Sequence, residues 1–129
     1  MEKVNYKKLK QALLDNFSKE TYQGKKRWFK NNPAYGHCAV ASLIVQDYFG
    51  GEIVSVWANM PDGGQIKHFN NLINGITIDT TITQFPRGTK FTIREFVGDV
   101  RQKLLKYKDT QEKYLILKEK VNRKIKENL

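Results

Sequence analysis

The single cysteine of this 129-residue sequence, Cys38, follows a turn-forming segment and precedes an apolar run. In the stretch NPAYGHCAVASLIVQDYFGG (residues 32–51), Pro33 and Gly36 disfavour helix before the cysteine, so a helix should begin near Cys38. A thiol at a helix N-terminus loses its proton more readily and becomes a stronger nucleophile. A free cysteine is also among the most buried residue types, so an inert packing role is the alternative.

A nucleophilic cysteine needs a base, and that base needs a group that fixes its orientation. Two segments rich in strand-forming residues supply both residue types: IKHFNNLI (residues 66–73) and ITIDTTI (residues 76–82). They are separated by Asn74 and Gly75, a dipeptide typical of two-residue hairpin turns. The sequence therefore predicts a β-hairpin that carries a histidine on one strand and an aspartate on the other.

The register of this hairpin predicts which side chains meet. A two-residue turn sets His68 opposite Thr81 and Asn70 opposite Asp79. Side chains alternate between the two faces of a strand, so His68 and Asp79 become diagonal neighbours on a polar face. The other face should point toward the core because it collects apolar side chains, namely Phe69, Ile73, Ile76, Ile78 and Ile82.

These positions predict a catalytic triad of Cys38, His68 and Asp79. Cys38 would be the nucleophile, His68 the general base and then acid, and Asp79 the group that orients the imidazole. Papain-like and transglutaminase-like enzymes have this chain order and these element types. The alternative is an inert thiol, a partly exposed strand histidine and a carboxylate that merely flanks a turn.

Acyl transfer also requires hydrogen-bond donors for the oxyanion that forms in the transition state. The predicted donors are the backbone N–H of Cys38 and the side-chain amide of Asn32. No metal site and no cofactor are predicted, because one cysteine and two histidines leave too few ligands at metal-binding spacing.

Three stretches of the sequence can be compared with known families, and they are NPAYGHCAVASLIVQDYFGGEIV, HFNNLINGITIDTTITQF and KYLILKEKV. Together they resemble the YunG-like family of small bacterial proteins, over about residues 28 to 121. The resemblance implies a papain-like fold with a cysteine, a histidine in an H-[FY]-x-N segment and an aspartate before a threonine. These correspond to Cys38, His68 and Asp79. The resemblance implies no particular substrate.

The sequence departs from the family pattern at His37. The family commonly has glutamine before the cysteine, so the histidine is expected to change the polarity of the pocket if that glutamine helps to shape it. His37 is not predicted to be the base for Cys38, because adjacent residues at a helix start point about 100° apart.

The remaining segments predict further helices and one more strand. Apolar residues at helical spacing indicate a first helix over residues 5–18, and residues 52–59 are typical of a strand. Helices return after Thr92, which fits a capping box with Glu95, and the last helix should open at Asp109.

These elements predict one α+β domain over residues 1–129, of papain-like type, in which N-terminal and C-terminal helices pack on a small antiparallel sheet. A chain of this length buries about two-thirds of its unfolded surface, which suffices for a core without disulfides. The first residues lack the apolar run of a signal peptide, and no stretch approaches the roughly 20 apolar residues of a membrane span. A cytoplasmic protein without a membrane partner is expected.

The net charge of +10 is concentrated at the two ends of the chain. Residues 1–30 carry nine Lys or Arg against three Asp or Glu, and residues 101–129 carry ten against four. Such segments can bind an acidic protein or nucleic acid. Solvated helix faces are the favoured interpretation, because no aromatic residues are interleaved in a nucleic-acid readout pattern, and nucleic acid is an unlikely partner.

The predicted function is therefore thiol-dependent acyl transfer at an amide or ester, by a hydrolase, deamidase or transferase. The sequence selects neither the substrate nor the acceptor, which is water, an amine or a thiol. The alternative is a papain-like binding module without turnover, whose basic helices bind an acidic protein or nucleic acid.

Overall fold

The computed structural model describes residues 4–127. Within these residues the elements follow the order α1 (Tyr6–Asn16), α2 (Cys38–Phe49), β1 (Glu52–Asn59), β2 (Gln65–Ile73), β3 (Ile76–Ile78), β4 (Lys90–Ile93), α3 (Val100–Leu105) and α4 (Lys108–Glu127). A 3₁₀ turn, Ile82–Gln84, lies between β3 and β4. The strands form one antiparallel sheet in the order β3-β2-β1-β4. The predicted α+β class is confirmed.

Helix α2 lies at the centre of the fold, because its residues 39–45 are all buried. A helix that is buried around its whole circumference must be covered on several sides, and α2 packs against β1, β2 and α4. The helix begins at Cys38, as predicted, and ends at Phe49. The capping residue that follows, Gly50, has a φ of 73°, which lies in the left-handed region that favours glycine.

Helices α1 and α4 pack against each other. Asn5 caps α1 by accepting a hydrogen bond from the Lys8 N–H, and the apolar stripe of α1 faces the core as predicted. In α4, Leu115 lies outside the buried apolar stripe and is 62% exposed. The buried apolar residues of the two helices are Leu9, Ala12, Leu13, Tyr114, Leu117, Val121 and Ile125. Among the described residues, no helix is both long enough and apolar enough to cross a bilayer.

A polar cluster joins α2, α3 and α4. Asp47 of α2 accepts from Arg101 of α3 at 2.8 Å and from the Lys118 ammonium of α4 at 2.9 Å. The Tyr114 hydroxyl of α4 donates to the same carboxylate. Because the groups carry opposite charges and are partly buried, they fix the three helices relative to one another.

The predicted hairpin turn is confirmed. Ile73 lies opposite Ile76, the pairing that a two-residue turn imposes. Asn74 has a φ of 50° and Gly75 a φ of 78°, and a type I′ turn requires positive values at both positions. The turn therefore sets the register of β2 and β3 as the sequence indicates.

Strand β3 is shorter than predicted. It ends at Ile78, whereas the predicted strand continued to Ile82. The chain leaves the sheet after Ile78 and enters the 3₁₀ turn, so His68 and Thr81 form no ladder pair.

The predicted division of the hairpin into a core face and a polar face is only partly right. Phe69 and Ile73 of β2 pack against the core. Ile76 is 63% exposed and Ile82 is 46% exposed, so the prediction for these two residues was wrong. Ile76 lies on an edge strand and Ile82 lies beyond its end. The supposedly polar face is covered as well, because His68 is fully buried.

The predicted helix beginning at Thr92 was wrong. Strand β4 occupies this position and pairs with β1. The local capping pattern of Thr92 and Glu95 is overridden because the free edge of β1 offers backbone partners that a sequence window does not reveal. Helix α3 begins only at Val100, where the Asp99 side chain accepts the N-capping hydrogen bond.

Gly75→Val should lower the free energy of unfolding by more than about 1 kcal/mol, because a φ of 78° is unfavourable for a β-branched residue. A Cβ at this position would meet no atom within 4 Å, so the measurement isolates backbone strain from steric overlap. Urea unfolding of variant and wild type provides the comparison.

The matched control is Thr77→Val, at an exposed position of the same hairpin with extended backbone. It should change the stability by less than about 0.5 kcal/mol. Equal unfolding midpoints for Gly75→Val and the wild type would contradict the type I′ turn.

Candidate active site

Cys38 is the first residue of α2, and its thiol is free and half-buried. The preceding residue, His37, occupies the N-cap position but makes no side-chain capping hydrogen bond. The N–H groups of the first turn therefore have no capping side chain and remain available to an anion. The helix dipole adds partial positive charge at the same end.

His68 lies in β2, and Asp79 directly follows the last residue of β3. The His68 Nε2 and the Asp79 Oδ2 are 2.7 Å apart, so the predicted contact between them is confirmed. Asp79 reaches the ring from the irregular segment after β3 and not from a longer strand. The His68 side chain is fully buried and that of Asp79 is 9% exposed. With so little water nearby, the hydrogen bond holds the imidazole in one orientation.

The electrostatic surroundings of His68 favour its protonated form. Burial, the largest influence, lowers the pKa of His68, but the hydrogen bond to Asp79 and the nearby Cys38 together raise it to about 9. The ring is therefore charged at neutral pH. The His68 Nδ1 has no hydrogen-bond partner among residues 4–127. That nitrogen is thus the ring atom left for a thiol or a substrate.

Two phenylalanines cover the imidazole. The ring centroid of Phe85, which follows the 3₁₀ turn, lies 4.8 Å from that of His68 with the planes at 89°. The Phe91 centroid, on β4, lies 5.6 Å from His68, and the two phenylalanine centroids are 5.7 Å apart. Because these rings exclude water, they strengthen the hydrogen bond between His68 and Asp79.

Helix α1 holds the segment that carries Asp79. The Tyr6 hydroxyl and the Thr80 Oγ1 are 2.8 Å apart, and Thr80 is buried. Burial raises the pKa of Tyr6, the hydrogen bond to Thr80 lowers it, and the Asp79 carboxylate raises it. The net shift is upward, so the hydroxyl stays neutral beside the carboxylate and tethers the neighbouring residue.

The 3₁₀ turn connects the loop before α2 to the segment after β3. The Asn32 side-chain amide points to the Gln84 carbonyl, at a long Nδ2–O distance of 3.4 Å. The Gln84 side chain accepts from the Gly36 N–H at 3.5 Å and donates to the Thr81 Oγ1 at 3.1 Å. The predicted oxyanion role of Asn32 remains a prediction, and this residue belongs to the loop that leads to the N-terminus of α2.

His37 packs in the interior and has both ring nitrogens occupied. Its ring stacks on Phe17 with a centroid distance of 4.2 Å. Nδ1 donates to the Tyr35 carbonyl at 3.0 Å, and Nε2 accepts from the Thr21 hydroxyl at 2.7 Å. Burial lowers the pKa of His37 to about 4, so the ring is neutral at neutral pH. With no free nitrogen, this histidine serves as a structural link behind the cysteine loop.

Sequence reasoning did not single out Gln84, Phe85 and Phe91, although all three help to build the site. The available signal was the alternation of Lys90, Phe91 and Thr92, which is typical of a strand that turns one aromatic side chain inward. The helix predicted to begin at Thr92 concealed that signal.

Part of the basic charge at the chain ends is neutralised within the fold. Within residues 4–127, five ion pairs involve α4, and they are Lys108–Glu112, Lys113–Asp109, Lys118–Asp47, Lys120–Glu20 and Arg123–Glu119. Over residues 4–127, no three His, Cys, Asp or Glu side chains are grouped so that they could hold a metal ion.

The sequence matches the family model described as YunG protein over residues 5–126. The match covers nearly the whole chain, and this protein belongs to the YunG family. A relative is the "Uncharacterized protein YunG" of Bacillus subtilis (strain 168), with 37% identity over 59 residues. The matched residues make up 46% of this chain and 47% of the relative, so the chain spans about half the length of that protein. No solved structure matches the chain.

The stability of the protein should fall as the pH drops from about 6.5 to about 4, in part because of His37. Its pKa of about 4 in the folded state lies below the ordinary 6.5. The unfolded chain therefore binds more protons in this range, and stability that is complete above pH 6.5 is lost on acidification. The contribution of His37 reaches about 3 kcal/mol near pH 4.

His37→Gln removes the titrating group and keeps one donor and one acceptor for the neighbours of the ring. The difference in unfolding free energy between wild type and variant, measured by urea titration from pH 7.5 to 4, should therefore change with pH. The positive charge of Lys113 also lowers the pKa of His37. Lys113→Gln should therefore make the unfolding free energy depend slightly less steeply on pH. A difference that stays constant with pH would rule out the buried neutral histidine.

Proposed function

We propose that this protein is a thiol enzyme that transfers an acyl group from an amide or an ester. Cys38 is the nucleophile, His68 is the general base and acid, and Asp79 orients the imidazole. One observation carries the proposal: a fully buried His68 bonds Asp79 through Nε2, its Nδ1 has no hydrogen-bond partner among the described residues, and Cys38 is near enough to raise the pKa of the ring. A histidine in a purely structural role has no comparable reason to leave one buried nitrogen unsatisfied.

The proposed reaction begins with the thiol proton on the imidazole. The sulfur that has given up its proton is the nucleophilic form. The Cys38 sulfur attacks the substrate carbonyl carbon, and the carbonyl electron pair moves to oxygen. When that pair returns, the bond to the leaving nitrogen or oxygen breaks and His68 donates its proton to the leaving group.

The second half of the proposed reaction releases the acyl group. His68, now neutral, takes a proton from the acceptor as the acceptor attacks the thioester carbon. The carbon–sulfur bond breaks, and the Cys38 thiolate and the protonated His68 are restored. Water as acceptor gives hydrolysis, whereas an amine or a thiol gives transfer.

The N-terminus of α2 supports the charge that develops on the carbonyl oxygen. The backbone N–H of Cys38 belongs to a first turn without a capping side chain. Donors that are already in place cost no reorganisation when the charge forms. Asn32 is the proposed second donor, and a small rotation of its amide away from the weak contact with Gln84 would make it available.

A papain-like architecture is part of the same proposal. It is supported by a central helix that begins at the cysteine, an antiparallel sheet that carries the histidine, and an aspartate at the end of the adjoining strand. We place the protein in the cytoplasm, where a reducing environment keeps a single thiol free.

The binding-module alternative receives less support from the fold. The cations Lys118, Lys120 and Arg123 of α4 form ion pairs with acidic side chains, which reduces the charge they offer to a partner. That alternative also leaves the unsatisfied nitrogen of His68 without an explanation. An acidic protein remains a partner to test once the thiol chemistry is known.

Iodoacetamide should label the wild type rapidly at pH 7, because in the proposed mechanism His68 takes the thiol proton and leaves the nucleophilic sulfur. His68→Ala should slow labelling by at least roughly ten-fold. Asp79→Asn, which keeps the shape of the side chain, should also slow it by reducing the protonated fraction of the ring. Labelling is site-specific because the sequence has one cysteine, and Cys38→Ala provides the baseline.

His37→Gln is the matched control, since this histidine is buried next to Cys38 but bonds other groups. It should react like the wild type. As a direct test of acyl transfer, incubation with p-nitrophenyl acetate should leave an acetyl group on Cys38, detected by mass spectrometry. Equal labelling of wild type and folded His68→Ala, together with no acetyl adduct, would refute the proposed enzyme.

Binding of short DNA or RNA should be weak near physiological salt and should not depend on sequence, because several cations of α4 are already paired. Fluorescence anisotropy in two salt concentrations measures this. Sub-micromolar affinity that persists in Cys38→Ala and is lost when Lys118, Lys120, Arg123 and Lys124 are neutralised would instead make binding the primary function.

A further inference from the structure

The β4 edge, residues 90–93, is a free edge of the sheet. In the strand order β3-β2-β1-β4, strand β4 pairs with β1 on one side, and among residues 4–127 no strand pairs with its other side. A free edge presents unpaired backbone N–H and C=O groups that can bind a further strand. The β4 edge therefore has the backbone groups that an extended chain requires.

The register of β1 and β4 shows which backbone groups point outward. Arg94, the residue after β4, donates its backbone N–H to the Ser55 carbonyl of β1 at 3.1 Å. Hydrogen-bonded pairs alternate along an antiparallel ladder, so Thr92 bonds β1 as Arg94 does. The N–H and C=O groups of Phe91 and Ile93 consequently point away from β1, toward the free edge.

The side chains of this edge alternate between a cationic row and an apolar row. Lys90, Thr92 and Arg94 project from one face of the sheet. Phe91 and Ile93 project from the other face, and Ile93 is 76% exposed. A strand added to this edge would place alternate side chains beside the cations and beside the apolar pair.

Arg94 is held in place without a counterion. Its half-buried side chain donates from Nε to the Ser55 Oγ at 2.8 Å, and its guanidinium carbon lies 5.4 Å from the ring centroids of Trp57 and Phe96. Among residues 4–127 it forms no ion pair, whereas the half-buried Arg101 pairs with a carboxylate. Burial of a charge is costly unless an opposite charge offsets it. A carboxylate from another molecule would supply that charge.

Further positive charge lies at both ends of this edge. The Lys103 Nζ is 4.9 Å from the centroid of the Phe96 ring, which the guanidinium also contacts, and Lys90 is exposed. Neither lysine forms an ion pair within residues 4–127. Of the nearby acidic groups, Asp99 caps α3 and Glu95 lies beyond the end of β4. An acidic partner complements this charge, whereas a second copy of the chain would bring the same cations.

We propose that the β4 edge binds an extended segment of another protein, in which acidic and apolar residues alternate. The segment runs antiparallel to β4 and bonds the outward backbone groups of Phe91 and Ile93. Its acidic side chains face Lys90 and Arg94, and its apolar side chains lie beside Ile93. A lysine on an edge strand discourages unspecific pairing, which favours an acidic segment. The assignment does not depend on the proposed thiol chemistry, because it uses none of the triad residues.

Binding can be measured by NMR titration of the full chain with a capped peptide of alternating glutamate and valine. A peptide of alternating lysine and valine reverses the charge and keeps the backbone. The glutamate peptide should bind at least about five-fold more tightly, as expected for two exposed ion pairs. Its binding should also slow hydrogen exchange at the amides of Phe91 and Ile93, which charge attraction alone would not do.

N-methylated peptides test the backbone pairing on the unaltered protein. The valines of the bound peptide would lie opposite Phe91 and Ile93 and donate their N–H groups to β4. Methylation of these nitrogens should weaken binding by at least about five-fold, because two hydrogen bonds are lost. Methylation of the glutamate nitrogens, which point away from β4, should have a smaller effect and is the matched control.

Ile93→Pro should block binding and spare the fold. The N–H that this change removes points away from β1, and proline is tolerated at such edge positions. Circular dichroism checks the fold of this variant. If the variant does not fold, the N-methylated peptides still decide whether the backbone of β4 pairs with the partner.

Arg94→Gln and Lys90→Gln should each reduce the preference for the glutamate peptide. The control Lys108→Gln, at a lysine of α4 that pairs with Glu112, should retain it. Equal affinities for the two peptides, or binding that methylation of the valines leaves unchanged, would overturn the proposal. A dimer in analytical ultracentrifugation that Ile93→Pro dissociates would also overturn it, because the edge would then belong to a second copy.

Discussion

The hydrogen bond between His68 and Asp79 fixes the positions of the other residues of the site. Both groups are removed from water, so each depends on the other for its polar contact. Charged groups in such surroundings carry a desolvation cost of several kcal/mol each, which is offset only by well-formed mutual contacts. Strand β2 fixes the ring, the end of β3 fixes the carboxylate, and Phe85 and Phe91 exclude water. In the proposed mechanism, the thiol at the start of α2 meets a base whose position is already set by the sheet.

The two histidines of this protein show how the partner of a buried ring decides its charge. His37 and His68 are equally buried, and burial by itself lowers the pKa of both. The partners of His37 are a carbonyl and a hydroxyl, so the effect of burial dominates. The partner of His68 is a carboxylate, which reverses the shift. His37 supports the loop as a neutral ring, whereas His68 can carry a proton at neutral pH.

Local signals in the sequence predicted the parts of this fold that depend on neighbouring residues. Asn74 and Gly75 both tolerate the positive φ values that a two-residue hairpin turn requires. The hairpin and the contact between His68 and Asp79 could therefore be predicted from this dipeptide. Strand β4 was missed because its pairing with β1 is a tertiary interaction, and a capping pattern suggested a helix there. The burial of His68 was missed for the same reason, since its cover comes from β4 and from the loop before it.

The packing of α1 against α4 has a consequence for the order of folding. A two-residue hairpin closes in about 1–10 μs, because its contacts are local. Contacts between α1 and α4 join residues from opposite ends of the described chain, and their closure costs more chain entropy. We therefore expect His68 and Asp79 to approach each other early on the hairpin, while the tether from Tyr6 to Thr80 forms late. A partly folded chain would thus hold the imidazole and the carboxylate near each other before Phe85, Phe91 and the Tyr6 tether surround them.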